Sequence, residues 1–167
     1  MSNNNRLSPA HSGFTLIELL VTTAIMVLVV GGGIAGFIGF NDRQTIISAV
    51  DVTKEALQVA QSKANSGELG GCSKLKGWKV VNGNTQIQVQ SICTNLAVGT
   101  TKAYTLPTGV TASFNPNSTI LFNVLSGPIE LTTNPSGYLD ITLTQGGNNS
   151  YLFGVDQGGQ VTSGDWI

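Results

Sequence analysis

Polar and apolar positions divide the chain into three regimes. The first thirteen residues are polar, with one arginine, Arg6, and one histidine, His11. From Leu19 to Phe40 no residue is charged. As a helix this run of about 22 residues spans roughly 33 Å, enough to cross the hydrocarbon core of a bilayer. From Asn41 to about Ser66 the pattern turns amphipathic. Ile46, Val50, Thr53, Leu57, Ala60 and Ala64 recur at steps of three and four, with Ile47 beside them, while Asp42, Arg43, Asp51, Lys54, Glu55 and Lys63 take the other faces. No proline interrupts, and Gly67 is placed to cap the end. The pattern predicts one helix from Phe14 to about Ser66, lipid-facing in its first half and packing one stripe on a sheet in its second.

After Gly70-Gly71 the period changes to two. Trp78–Val81, then Asn82-Gly83, then Thr85–Ile92 reads as a hairpin, with Gln86, Gln88 and Gln90 on a wet face. Further strands are expected at Ala103–Leu106, Val110–Phe114, Thr119–Val124, Ile129–Thr132, Tyr138–Leu143, Tyr151–Val155 and Gln160–Thr162. They are separated by Pro107, Asn115-Pro116, Gly127-Pro128, Asn134-Pro135 and Gly146-Gly147. A helix followed by short strands at this spacing is an α+β layout with antiparallel sheets.

At 167 residues the chain has room for one domain beyond the apolar helix. Charge is sparse, with Lys+Arg 8 against Asp+Glu 9, which gives no general attraction to nucleic acid. Abundant glycine with few charges suits a β-rich extracytoplasmic domain better than a cytosolic enzyme. Candidate chemistry is thin. Glu130, Asp140, Asp156 and Asp165 fall on different strands or loops, no glycine-rich stretch links a strand to a helix, and His11 is the only imidazole. No catalytic set, metal site or cofactor is therefore expected. Lys74, Lys76 and Lys79, with Lys102, form a small basic cluster that reads first as a soluble rim.

One acid, Glu18, stands at the lip of the apolar run and needs a partner or a role there. With its neighbours it forms Gly13-Phe14-Thr15-Leu16-Ile17-Glu18-Leu19-Leu20. This octet resembles the processing and assembly signal of type IV pilins and type II secretion pseudopilins. The resemblance implies a pilin-like fold, a long N-terminal helix packed on antiparallel sheets. It also implies cleavage between Gly13 and Phe14 by a prepilin peptidase/methyltransferase, and N-methylation of Phe14. Glu18 would pair with the N-terminal ammonium of a neighbouring subunit. The expected divisions are a leader at 1–13, a transmembrane helix at 14–40, an amphipathic helix at 41–66 and a β-rich head at 67–167.

Ile120-Leu121-Phe122-Asn123 with Gly127, Ile141-Thr142-Leu143, and Gly158-Gly159-Gln160-Val161 resemble the C-terminal half of the GspH/FimT family. Val52–Ala64 resembles the corresponding helix of H-type minor pseudopilins. The implied partners are other pilin or pseudopilin subunits, an inner-membrane assembly platform and the lipid bilayer. The implied place is a single pass through the inner membrane with the head outside the cytoplasm, and incorporation into a filament. Some relatives bind DNA through basic residues, which would give Lys74, Lys76 and Lys79 a nucleic-acid role. A minor pilin for DNA uptake or adhesion, and a tethered binding or enzymatic domain, are the competing readings.

Two further features follow. Gly31, Gly32 and Gly33 each cost a helix about 1 kcal/mol against alanine. They mark either a weak point, like the melted region that related pilins have near a proline, or a close helix-packing surface. Outside the cytoplasm, Cys72 and Cys93 are expected to form a disulfide worth about 3 kcal/mol by chain entropy, with two free thiols as the alternative.

Overall fold

The computed structural model describes residues 13–116, 119–127, 129–131, 135–146 and 149–167. The expected leader up to residue 12, with Arg6 and His11, and the expected turn or strand positions Pro128, Thr132, Asn134 and Gly147 lie outside the described residues. The chain divides into two compact units, Met1–Phe40 and Asn41–Ile167. Helix α1, Leu16–Ser66, runs unbroken through both.

Within the second unit α1 buries one stripe. Ile46, Ala49, Val50, Thr53, Ala56, Leu57, Ala60 and Ala64 are all buried, matching the steps of three and four in the sequence. Four of the eight are alanines. Thr53 is tolerated in the core because its hydroxyl donates to the Ala49 carbonyl at 2.8 Å. Ile47 departs from the expectation: it is exposed, on the side facing away from the stripe. The helix stops at Gly67 (φ +67). Its N–H reaches the Ala64 carbonyl and the Glu68 N–H reaches that of Lys63, the paired bonds of a Schellman end.

The strands are β1 (Leu75–Asn82), β2 (Gln86–Cys93), β3 (Val98–Thr105), β4 (Val110–Asn115), β5 (Thr119–Asn123), β6 (Tyr138–Gln145), β7 (Asn149–Asp156) and β8 (Asp165–Trp166). They form two antiparallel sheets, ordered β3-β2-β1-β5 and β4-β6-β7-β8. Trp78, Val80, Ile87, Val89, Ile120 and Phe122 from the first sheet share a core with Val110, Leu139, Ile141, Leu143, Phe153 and Val155 from the second and with the helix stripe. The fold is α+β, with the helix packed on antiparallel sheets.

Several expectations need correction. The first hairpin forms, but its left-handed residue is Asn84 (φ 64) rather than Asn82 or Gly83. The Asn84 N–H is held by the Asn82 side-chain oxygen at 3.0 Å, an Asx turn that tolerates this backbone. The turn also joins the two sheets, since the Asn82 amide donates to the Ala112 carbonyl and the Ala112 N–H donates to that of Asn84. Strand β3 starts at Val98, not Ala103, because an edge strand needs no apolar alternation and Gly99-Thr100-Thr101 has none. The stretches expected as strands at Ile129–Thr132 and Gln160–Thr162 reduce, among the described residues, to single bridges, Glu130 with Leu121 and Val161 with Val155. β8 was not anticipated at all.

Gly70 shows why this loop needs glycine. Its φ is +53, and a Cβ there would lie 2.6 Å from the Ser91 Cβ and 2.7 Å from the Trp78 ring. Gly70→Ala should therefore cost roughly 2–4 kcal/mol, combining left-handed strain with overpacking. Gly109 is also left-handed but opens on empty space, so Gly109→Ala should cost only about 1 kcal/mol from strain. Thermal unfolding of the two oxidised variants checks this, and equal melting temperatures would contradict it.

Candidate processing and assembly site

Gly13, Phe14 and Thr15 precede α1 in irregular backbone, and all three are exposed. The Gly13–Phe14 peptide bond is thus accessible and not locked in a helix, as a protease requires. Nothing lies within 4 Å of a Cβ built on Gly13. Among the described residues, then, no packing demands glycine at this position.

Thr15 caps the helix. Its hydroxyl accepts the Glu18 N–H at 3.2 Å, and its carbonyl accepts the Leu19 N–H at 3.1 Å. Sequence reading singled out Gly13, Phe14 and Glu18 and passed over Thr15. The signal was there: Thr-x-x-Glu is the spacing of a capping box. Glu18 occupies the first turn, where the orphan N–H groups and the helix dipole favour a carboxylate.

Beyond Glu18 the apolar side chains of the first unit lie open. Those described between Phe14 and Phe40 as large hydrophobics are 46 to 83% exposed. An uncovered apolar surface of this extent marks a site for lipid or for another protein. This is one helix long and apolar enough to cross a membrane. Gly31, Gly32 and Gly33 stay helical, and a Cβ at each would meet open space. Among the described residues no contact calls for glycine at these three positions.

In the second unit Cys72 and Cys93 are joined, with Cα atoms 5.3 Å apart. The bridge ties the loop leaving α1 to the end of β2. The Gly70 carbonyl beside it accepts both the Ser91 hydroxyl and the Thr100 N–H at 2.7 Å. The four lysines do not form one surface. Lys76 is paired with Glu130 at 3.1 Å. Lys79 stands opposite Gln90 and Leu121 in the ladders, on the face of the first sheet away from Trp78. Lys102 lies opposite Val89, on the buried face at the sheet's edge, with its ammonium 4.4 Å from the Tyr104 ring centre. Lys74 is exposed in the loop before β1. The carboxylates are also dispersed: Asp156 accepts the Gly158 and Gln160 N–H groups at 2.8 Å, and Asp165 sits on β8.

Residues 9–34 match the family described as the prokaryotic N-terminal methylation motif. This type IV pilin-like signal covers the octet and the first part of the apolar run. No curated protein and no solved structure matches the chain.

The Lys76 ammonium, and after it the Asn123 amide, hold the Glu130 carboxyl below its usual range. A depressed carboxylate adds stability above its unfolded value and loses it as pH falls through the folded one. Because the pair is largely exposed, the gain is at most a few tenths of a kcal/mol. Glu130→Gln should lower the melting temperature by about 1 °C at pH 7 and by nothing at about pH 3. A gap that widens toward acid would contradict the pairing.

Proposed function

We propose that this chain is a minor pilin or pseudopilin, a bitopic subunit of a type IV filament or type II secretion machine. The match of residues 9–34 to the methylation motif carries the reading. The uncovered apolar helix and the accessible Gly13–Phe14 bond support it. A prepilin peptidase hydrolyses that bond, leaving Phe14 with a free ammonium. Methylation of the nitrogen keeps its positive charge. The subunit waits in the inner membrane with its head outside the cytoplasm, and an assembly platform then draws it into a filament. Its role is structural rather than catalytic.

The energetics set the requirements. An apolar helix leaves lipid at little cost only if it enters a bundle of other apolar helices. A carboxylate carried into that bundle needs a cation, because an unpaired buried charge costs several kcal/mol. The Phe14 ammonium of a neighbour is a cation placed to serve. Glu18 then acts as a register device, since a wrong stagger leaves it alone. The assignment to minor pseudopilins of the GspH/FimT type rests on the softer resemblance of Val52–Ala64, Ile120–Asn123 and Ile141–Val161. Genomic neighbours encoding a secretion ATPase and an outer-membrane channel would favour it over a DNA-uptake or adhesive pilin. Gly31–Gly33 then serves as a site of local unwinding or of close helix contact within the filament.

Two variants test this reading in cells with an active peptidase. Gly13→Asp should remain at precursor mass on a gel, and a band at mature mass would contradict the cleavage site. Glu18→Ala should reach mature mass normally but be depleted at least tenfold from sheared filaments, the loss that ~1.4 kcal/mol per subunit contact produces. Wild-type incorporation would remove Glu18 from the assembly step.

A further inference from the structure

The last residues of the second unit are folded back onto it. Trp166 and Asp165 pair with Tyr151 and Leu152 as β8, and the Ile167 N–H donates to the Ser150 carbonyl at 3.0 Å. The Trp166 ring meets Tyr151 edge-on, with centres 5.2 Å apart. On it lies the guanidinium of Arg43, 5.4 Å from the ring centre. This fixes where Trp166 sits along α1. Arg43 is the third residue after Phe40, the last of the charge-free run, so it follows that run by about 5 Å of helix. The headgroup zone outside the hydrocarbon is roughly 5–8 Å deep on each side. Arg43 and the ring stacked on it therefore fall within that zone.

The exposed side chains here suit that depth. Trp166 is 41% exposed and Ile167 68%. A half-exposed indole, an arginine beside it and a flanking isoleucine make an apolar surface with polar tips, the chemistry that settles at a membrane–water boundary. We infer that Trp166, Ile167 and Arg43 form an interfacial patch that docks the head on the phospholipid surface until the subunit leaves the membrane. The inference rests on the membrane-anchored reading above. Asp165 stands next to the patch, so the contact depends on the ring and Ile167 rather than on anionic headgroups.

The test uses the full, oxidised chain in phosphatidylcholine vesicles containing a lipid brominated near the headgroup end of its acyl chains. The chain has two tryptophans, and Trp78 is 1% exposed in the core. Bromine should quench part of the emission, high salt should not reverse it, and Trp166→Phe should abolish it. A second readout leaves both tryptophans in place: an environment-sensitive dye on Ile167→Cys should shift to the blue on vesicles. Quenching that survives Trp166→Phe, reversal by salt, or an absent dye shift on a chain that floats with the vesicles would each overturn the patch and leave the anchor standing. A chain that fails to float would overturn both.

Discussion

The first part of α1 presents apolar side chains that stay uncovered among the described residues, with one carboxylate, Glu18, at the start. That combination constrains the rest. Hydrocarbon and a bundle of sister helices are similarly apolar, so moving between them changes little in burial and says nothing about stagger. Specificity has to come from the polar group. Thr15 caps the turn that carries Glu18, and on the proposed reading low dielectric makes a missing partner for that acid expensive. On the proposed reading the apolar surface requires that the helix always be covered, and the acid sets how.

The second unit solves a different problem with the same helix. Its stripe of small residues lets two four-stranded sheets share one core, and the helix end is tied down from several sides. Gly67 turns the chain, the Trp78 indole donates to the Glu68 carbonyl at 2.9 Å, and Lys63 both pairs with Glu68 and covers the Trp78 ring. The Cys72–Cys93 bridge then fastens the exit loop to β2. These ties hold the amphipathic half of α1 to the sheets, independently of whatever covers the apolar half.

How much of this was legible depended on how local the cause was. The helix, its buried stripe and its stop at Gly67 follow from period and capping, which act within a few residues. The first hairpin was legible for the same reason, although an Asx turn at Asn82 moved the left-handed backbone to Asn84. What stayed hidden was set by distant partners. Strand β3 is an edge whose pairing with β2, not its own pattern, makes it a strand. Ile129–Thr132 alternates like a strand, yet among the described residues only Glu130 finds a bridge. β8 exists because Trp166 has Tyr151 and Arg43 to pack against, and no local signal encodes that. At the candidate site Gly13, Phe14 and Glu18 stood out by type and spacing. Thr15 was overlooked although its three-residue step to Glu18 announces a cap. The lysines looked like one cluster in sequence, but β1 and β3 send Lys79 and Lys102 to opposite faces.

Mass spectrometry of the chain recovered from sheared filaments bears most directly on the central claim. An N-terminal peptide that begins at Phe14 and carries one methyl group on its nitrogen is the predicted result. A chain recovered there with residues 1–13 still attached would contradict it, because the Phe14 nitrogen would then be a neutral amide with no charge for Glu18 to meet.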